Sequence, residues 1–306
     1  MKLGTTSLPD APWRWRERAP MPRPRAGLIQ GVVGSQMVVA GGSYWEDNRK
    51  FRSDRTDLFD PASNHWMAGA PLPSPRSDAA CAVVDDTLYV FGGGADGEAT
   101  DDVLALRHGT WSVLPVKLPE PRINGFAVAM DGRVYVVGGV SQPGDQPLIS
   151  STVWSWDPAS TDGFRTHAAI PGRARVGFGI VAHGGRIYLF GGFGYSSDDD
   201  NLDEVMALDP AADCWSSLSP MPVARRAWWA HAVGDAILLL GGYTDDFSTE
   251  IYVFDPAIGT ATVAGVLPYG LADSKFVQIG DRLLTTGGES GIRVRAPGTY
   301  EIQIEG

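Results

Sequence analysis

The sequence Arg186-Ile-Tyr-Leu-Phe-Gly191-Gly192, an apolar run that ends in two glycines, decides the fold of this 306-residue chain. Five related runs end in the pairs Gly41-Gly42, Gly92-Gly93, Gly138-Gly139, Gly241-Gly242 and Gly287-Gly288. The first glycines of successive pairs lie 51, 46, 53, 50 and 46 residues apart. Val, Ile, Tyr and Phe favour strands. A β-rich unit of about 50 residues that recurs six times indicates stacked repeats rather than separate domains.

Each unit repeats more than its glycines. An arginine lies sixteen residues before the first glycine of five units, at Arg25, Arg76, Arg122, Arg175 and Arg225. Only the sixth unit breaks this series, with Leu271. Because one residue type recurs at equivalent positions, we interpret the arginines as structural ties between neighbouring units.

These features resemble the kelch-repeat family across nearly the whole chain. The resemblance implies an all-β, six-bladed kelch β-propeller with four antiparallel strands per blade. We expect one domain over residues 1–306. Its blades should span approximately residues 25–70, 75–117, 121–170, 173–219, 225–267, and 271–306 together with 13–17.

The two ends of the chain predict how the ring closes. The sixth unit stops one strand short, whereas Trp15 and Arg25 near the start are ten residues apart, like Trp66 and Arg76. We therefore expect a strand at about residues 13–17 to complete the last blade, which covers an otherwise open sheet edge.

Composition excludes several classes of function. The net charge of −11 argues against nucleic-acid binding, which needs a dense basic patch. No apolar run is long enough to span a membrane, and residues 1–20 lack the pattern of a signal peptide. The five histidines are scattered, with no pair at metal-ligand spacing. We expect a cytoplasmic monomer without a metal, and we expect its two cysteines to be buried and unpaired.

Function in a propeller comes from loops at one mouth of the central channel. The residues two positions beyond each repeated arginine are Gly27, Asp78, Asn124, Gly177, Ala227 and Asp273 (Asp273 follows Leu271). They suit the floor of a polar pocket, and they equally suit turn residues that satisfy backbone donors. The loops after the glycine pairs suit either a sugar site or a protein-binding rim. The candidate substrate-binding residues are Trp45, Asp78, Asn124, Arg175, Tyr195, Tyr243, Asp273 and Arg293.

The sixth loop differs from the others because Glu289 directly follows the glycine pair and Arg293 and Arg295 lie four and six residues further on. A carboxylate beside a guanidinium can act as a base near neutral pH. The same spacing also suits an ion pair that only fixes the loop.

Gly287-Gly288-Glu289 with Arg295 resembles the Gly-Glu-x5-Arg signature of the N-acetylneuraminate mutarotases (epimerases), in their cyclically permuted branch. The resemblance implies an isomerase without a cofactor. Glu289 would be the general base or acid, and Arg295 would grip the carboxylate of a sialic-acid-like substrate. A hydroxyl of Tyr195 or Tyr243, or a water, would be the partner acid.

Two alternatives remain open. The first is a non-catalytic interaction module that presents Trp45, Arg175, Tyr195 and Tyr243 to a protein partner. The second is an enzyme that acts on another small metabolite in the same axial pocket.

Overall fold

The computed structural model describes residues 13–95, 98–143, 147–194 and 200–304, and these residues contain strands and turns but no helix. Six four-stranded antiparallel sheets form the blades of a propeller. From the inner to the outer strand, blade 1 contains Ala26–Val33, Gln36–Glu46, Thr56–Asp60 and His65–Ala68; blade 2 contains Ala80–Val84, Thr87–Phe91, Glu98–Arg107 and Thr110–Arg122; and blade 3 contains Phe126–Met130, Arg133–Val137, Val153–Trp156 and Arg165–His167.

The second half of the chain repeats the same order. Blade 4 contains Gly179–His183, Arg186–Phe190, Val205–Asp209 and Cys214–Leu218; blade 5 contains Arg226–Val233, Ala236–Tyr243, Glu250–Asp255 and Thr260–Val266; and blade 6 contains Phe276–Ile279, Arg282–Thr286, Thr299–Gln303 and Arg16–Arg18. The prediction of an all-β, six-bladed propeller is confirmed.

Short additional strands extend some loops that follow the glycine pairs. In blades 1 and 2 they are Arg49–Arg52 and Gly94–Ala95. In blades 3 and 6 they form two-stranded hairpins, Val140–Gln142 with Leu148–Ile149 and Glu289–Gly291 with Val294–Arg295. The hairpin of blade 6 carries the two residues of the predicted catalytic pair.

The chain closes the ring as predicted, with a small shift of the closing strand. Arg16–Arg18 pairs antiparallel with Thr299–Gln303, and Arg16 faces Glu301. The strand begins later than the predicted residue 13. Trp15 instead donates its indole N–H to the carbonyl of Val266 in blade 5, at 2.9 Å. The N-terminal segment thus contacts blade 5 as well as completing blade 6.

In the described part of the chain, six hydrophobic clusters lie one between each pair of adjacent blades, and a seventh, small cluster joins Ile123, Val140 and Val176. Between blades 6 and 1, for example, Leu284 packs with Met37 and Phe59. A blade has two apolar faces and cannot bury either alone, so every blade depends on both neighbours. The ring is consequently rigid enough to fix residues from different blades around one axis.

The repeated arginines are structural. All five are at most 3% exposed. Arg25, Arg76 and Arg225 each donate to the carbonyl of the first glycine of their own blade. Four of the five form ion pairs with a carboxylate in, or directly before, the third strand of their blade: Asp57, Asp102, Glu204 and Glu250. In the sixth blade, Leu271 packs into the apolar cluster between blades 5 and 6.

Both cysteines are unpaired, as expected, but only Cys81 is buried. The expectation that both are buried is wrong for Cys214, which lies on the outer edge strand of blade 4. The residues that the structure describes include no helix able to cross a membrane.

Candidate functional site

Six residues that begin or precede the inner strands share one backbone conformation, and we call them the axial ring: Gly27, Asp78, Asn124, Gly177, Ala227 and Asp273. Each has a positive φ, between 51° and 63°. This left-handed region is open to glycine and, among other residues, favours Asn and Asp. The backbone therefore selects short polar side chains at three of the six positions.

Hydrogen bonds connect neighbours in the axial ring. Four of them join a backbone N–H to the carbonyl of the preceding ring residue: Asp78 to Gly27 at 2.9 Å, Asn124 to Asp78 at 2.8 Å, Ala227 to Gly177 at 2.6 Å and Asp273 to Ala227 at 3.1 Å. At the joint between blade 6 and blade 1, the N–H of Gly27 donates to the side chain of Asp273 at 2.9 Å. Asp273 therefore satisfies a backbone donor and also lines the cavity described below.

The residue after each glycine pair lies next to the axial ring. In blade 6, the N–H of Glu289 donates to the carbonyl of Ala272 at 2.8 Å, and the N–H of Ala272 donates back at 2.9 Å. Because Ala272 directly precedes Asp273, the carboxylates of Glu289 and Asp273 come from adjacent backbone positions.

The axial ring surrounds a cavity of about 400 Å³ at this mouth of the channel, within the range of about 300–1,000 Å³ that is typical of ligand sites. Phe126, Phe193, Trp228 and Trp229 contribute aromatic surface to its wall. Its polar lining includes Ser43, Lys50, Asp78, Asn124, Asp273, Lys275, Glu289 and Arg295. Four of the predicted polar residues, Asp78, Asn124, Asp273 and Glu289, thus meet in one cavity with Arg295.

Glu289 and Arg295 face each other across the hairpin of blade 6 and form an ion pair. Arg295 also donates through Nε to the carbonyl of Ser43 at 3.1 Å and through Nη2 to Ser43 Oγ at 3.3 Å. The Arg295 side chain is 7% exposed and that of Glu289 is 31% exposed. The guanidinium is therefore held between two blades, while the carboxylate stays open to the cavity.

Asp273 differs from Glu289 in its surroundings. The cavity walls restrict the hydration of its carboxyl, and Asp78 and Glu289 add negative charge nearby, which together raise the pKa of Asp273 to about 7. The Gly27 N–H and Lys275 act in the opposite direction. Asp273 is an exposed residue whose carboxyl meets solvent through the cavity, so its hydration is reduced but not lost, and the neighbouring carboxylates Asp78 and Glu289 remain the firmer cause of the raised pKa.

Two lysines in the cavity were missed by the sequence analysis. Lys50 Nζ lies 3.9 Å from Asp78 Oδ2. Lys275 Nζ lies 3.0 Å from Cys81 Sγ and 6.0 Å from the centre of the Trp229 ring. Lys275 lies two residues beyond the axial-ring residue Asp273, and this spacing is the feature of the sequence that could have indicated its place in the cavity.

Trp45 and Arg293 meet at the rim rather than in the cavity. The guanidinium carbon of Arg293 lies 4.8 Å from the Trp45 ring centre. Arg293 is exposed, and its neighbour Ile292 is 79% exposed. Blades 1 and 6 thus share a cation–aromatic contact above the Glu289–Arg295 pair.

Tyr243 packs against its own blade. Its ring lies 5.1 Å from that of Phe247, and the Arg226 guanidinium lies 4.7 Å from the Tyr243 ring and 4.6 Å from Phe193. Among the described residues it is Phe193, not Tyr243, that lines the cavity.

The remaining two candidates stand apart from the cavity. Arg175 is fully buried, forms an ion pair with Glu204 and donates to the carbonyl of Arg173. The structure thus places it with the other structural arginines. Tyr195 lies outside the described residues. Among the described residues, no group of three or more His, Cys, Asp or Glu side chains is arranged to hold a metal ion.

Comparison with known proteins agrees with this architecture. The model of the KLHDC2/KLHL20/DRC7 Kelch-repeats domain matches residues 32–242. The Kelch repeat and BTB domain-containing protein 1 of ectromelia virus (strain Moscow) is 27% identical over 80% of this chain and 43% of its own length. Kelch-like protein 35 of Mus musculus is 30% identical over 71% of this chain and 35% of its own length. The chain thus spans less than half the length of these curated relatives.

A solved structure entitled "Structure of YjhT" matches 94% of this chain and 99% of its own, with a TM-score of 0.77 and 19% sequence identity. At that identity the likeness shows the fold alone. The family model covers more than half of the chain and agrees with the repeats, the axial ring and the six blades. This protein therefore belongs to the kelch-repeat family.

Proposed function

We propose that this protein is a cofactor-independent mutarotase or epimerase that acts on a sialic-acid-like sugar acid in the axial cavity. One observation carries the proposal: the Glu289 carboxylate, fixed by Arg295, opens into a concave cavity of about 400 Å³. The Gly-Glu-x5-Arg motif that supplies this pair resembles the mutarotase signature. A filled or flat mouth would instead have favoured a binding platform.

The reaction needs only positioned proton transfer. Glu289 removes the proton of the anomeric hydroxyl as the ring C–O bond of the cyclic sugar breaks, and an acid protonates the ring oxygen. The open-chain carbonyl then rotates, and closure on its other face gives the other anomer. Positioned general acid–base catalysis contributes about 10²–10⁴-fold.

The contacts of Arg295 support a different role for this residue from the one that the resemblance implies. Its Nη1 contacts Glu289, and its Nε and Nη2 donate to Ser43. We therefore assign Arg295 mainly to holding Glu289. These contacts engage three of its five N–H donors, so a substrate carboxylate would share Arg295 with Glu289 and Ser43.

Lys50 and Lys275 complete the recognition of an acidic sugar. Lys275 contacts a thiol at 3.0 Å, and Lys50 lies 3.9 Å from its carboxylate neighbour, so both ammonium groups keep donors for a substrate carboxylate. Trp229 and Phe193 offer apolar surface to the C–H faces of a sugar ring.

The test follows anomer equilibration of N-acetylneuraminate by NMR, with and without the protein. We expect the wild type to accelerate it and Glu289→Gln to lower that acceleration by about 10²–10⁴-fold. Glu98→Gln, a change at an exposed residue of blade 2, is the matched control and should keep full activity. A wild type that accelerates neither this nor related sugar acids would overturn the proposal.

A second candidate, a protein-interaction module, is favoured by the rim. Trp45 lies under Arg293, and Ile292 next to them is 79% exposed. Aromatic and arginine side chains dominate binding hot spots, and a propeller fold by itself does not decide between catalysis and binding. If Trp45→Ala abolishes capture of a partner while Glu289→Gln does not, this candidate replaces the first.

A further inference from the structure

The carboxyl of Asp273 is the cavity group best placed to work together with Glu289. The two oxygens that exchange protons during ring opening, the anomeric hydroxyl and the ring oxygen, are bonded to the same carbon. The base and the acid must therefore lie side by side. Asp273 directly follows Ala272, whose backbone exchanges two hydrogen bonds with that of Glu289.

The axial ring holds the Asp273 carboxyl in a defined position. Its Oδ2 accepts the N–H of Gly27 at 2.9 Å, and its backbone N–H donates to the carbonyl of Ala227 at 3.1 Å. Glycine at position 27 leaves space above the ring, because a Cβ there would meet Asp78 Oδ1 at 2.1 Å. Asp273 and Asp78 therefore lie on either side of Gly27, both facing the cavity.

Of the two tyrosines predicted from the sequence as the partner acid, Tyr195 lies outside the described residues and Tyr243 is less suitable. Tyr243 packs on Phe247 and beneath the Arg226 guanidinium, in blade 5 rather than blade 6. We propose that Asp273 is the proton donor that partners Glu289, protonating the ring oxygen as the sugar ring opens. This inference rests on the proposed function and names the acid of that reaction.

The proton balance closes over one cycle. In opening, Glu289 gains the proton of the anomeric hydroxyl and Asp273 gives its proton to the ring oxygen. In closure, the Asp273 carboxylate takes back the proton of that hydroxyl as its oxygen attacks the carbonyl carbon, and Glu289 returns its proton to the carbonyl oxygen. Neither residue changes overall, and no oxidant or co-reactant is needed.

Electrostatics supports the same assignment. The charged groups that line the cavity around Asp273 are Asp78, Glu289, Lys50, Lys275 and Arg295. With Asp273 protonated, three cations face two carboxylates, which suits a substrate with one negative charge. Restricted hydration and the two neighbouring carboxylates favour that protonated form, because they raise the pKa of Asp273 to about 7. Two carboxyl groups with different protonation in one site give an acid and a base.

The chain itself supplies a conservative variant. Asn124 occupies the equivalent axial-ring position of blade 3, with φ 55° against 51° at Asp273. Asp273→Asn should therefore keep the backbone and the acceptor for Gly27, and lose only the exchangeable proton. Asp235→Asn, in an exposed turn of blade 5, is the control for removal of one negative charge.

The first test measures N-acetylneuraminate equilibration by NMR from pH 5 to 9, with the uncatalysed rate subtracted. We expect wild-type activity to fall as the pH rises through about 7. Asp273→Asn should lose about 10²–10⁴-fold in rate and should lack this fall in activity at alkaline pH. Asp273→Glu should recover part of the lost rate, and Asp235→Asn should match the wild type. Wild-type rate and pH profile in Asp273→Asn would overturn the inference.

The second test reads the carboxyl proton directly and does not depend on activity or on the folding of a variant. In wild-type protein with ¹³C-labelled aspartate, one carboxyl resonance should titrate near pH 7. If every aspartate titrates below about pH 5, Asp273 is not the donor, even if the protein is an active mutarotase. If the wild type accelerates no sugar acid, the proposed function fails and this role fails with it, whatever the titration shows.

Discussion

The α-carbon of Gly27 lies against the carboxylate of Asp78, so a Cβ at position 27 would meet Asp78 Oδ1 at 2.1 Å and the Asp78 backbone nitrogen at 3.2 Å. Gly27 also donates its N–H to Asp273. One residue without a side chain thus sets the positions of two carboxylates from neighbouring blades. At position 27 the first blade contributes to the site by leaving room for the carboxylate of Asp78.

Gly27→Ala should therefore lower the free energy of unfolding by more than the left-handed backbone conformation alone would explain. Gly34→Ala is the matched control, since Gly34 has a similar φ of 61° but nothing within 4 Å of an added Cβ. A left-handed alanine costs about 1–2 kcal/mol, and we expect that loss for Gly34→Ala. Gly27→Ala should lose more in urea unfolding and should also lower activity. Equal losses for the two variants would contradict the close approach of Asp78.

The stability of the folded protein should depend strongly on the carboxylate that pairs with Arg25, the repeated arginine of blade 1. Arg25 and Asp57 are both completely buried, with 2.5 Å between Nη2 and Oδ2. Removing one partner of a buried pair leaves an uncompensated charge, so Asp57→Asn should lower the free energy of unfolding by about 3–5 kcal/mol.

Glu204→Gln provides the comparison, because Glu204 pairs with Arg175 in the same way but is 47% exposed. Arg175 itself is buried, but water can reach the place of this half-exposed carboxylate, so its loss should cost about 1–3 kcal/mol, less than the loss of Asp57. Similar losses for Asp57→Asn and Glu204→Gln in chemical denaturation would show that burial does not control these pairs.

The closing strand should stabilise the whole ring through Arg18. This side chain is 6% exposed, lies 3.1 Å from Glu301 in blade 6 and donates to the carbonyl of Pro61 in blade 1. Arg16 and Arg282 remain within 4.0 Å of Glu301. Arg18→Ala should therefore cost on the order of 2 kcal/mol, less than a fully unpaired buried charge.

Arg16→Ala, at a side chain that is 74% exposed, is its control and should cost little. Deletion of residues 1–20 removes the strand Arg16–Arg18 entirely and should lower the melting temperature of the whole domain in calorimetry. A truncated protein with unchanged melting would mean that the ring does not need this strand.

Asp273 should make stability depend on pH. Its pKa is about 7 in the folded protein, against an ordinary value of 3.8. Between these two values the folded protein binds more protons than the unfolded chain, so this group's contribution to stability falls as the pH rises. Asn mimics the protonated carboxyl at every pH.

Asp273→Asn should therefore melt at a higher temperature than the wild type at pH 8, and this difference should shrink towards pH 4. Thermal melts of the two proteins and of Asp235→Asn across this range measure the effect. A difference that stays constant with pH would mean that Asp273 titrates alike in both states.

The sequence was sufficient for the fold because the fold depends on local, repeated features. Glycine pairs, strand-forming runs and the regular arginines are each visible in a short window, and their period predicts the blades. The match between Trp15–Arg25 and Trp66–Arg76 located the closing strand to within three residues of its start, at Arg16. The pairing of Arg25 with Asp57 was not predicted, because its two members are 32 residues apart.

The candidate site could be predicted only in part. Glu289 and Arg295 were found because they lie in one short loop with a recognisable spacing. Lys50 has no repeated counterpart to mark it, and Tyr243 was assigned to the site because position after a glycine pair does not reveal which way a side chain packs. Arg175 was predicted both as a structural arginine and as a binding residue, and its buried ion pair with Glu204 agrees with the structural role.

The sequence by itself determined that six similar units form a ring, since each unit carries its own strands, turns and apolar faces. Only the tertiary structure decided which side chains meet at the axis. Asp78, Asp273 and Glu289 lie on different blades or loops, and their distances depend on closure between the first and last blades. A carboxyl pKa depends on such distances and on the surrounding walls, and neither is encoded in any local window of the chain.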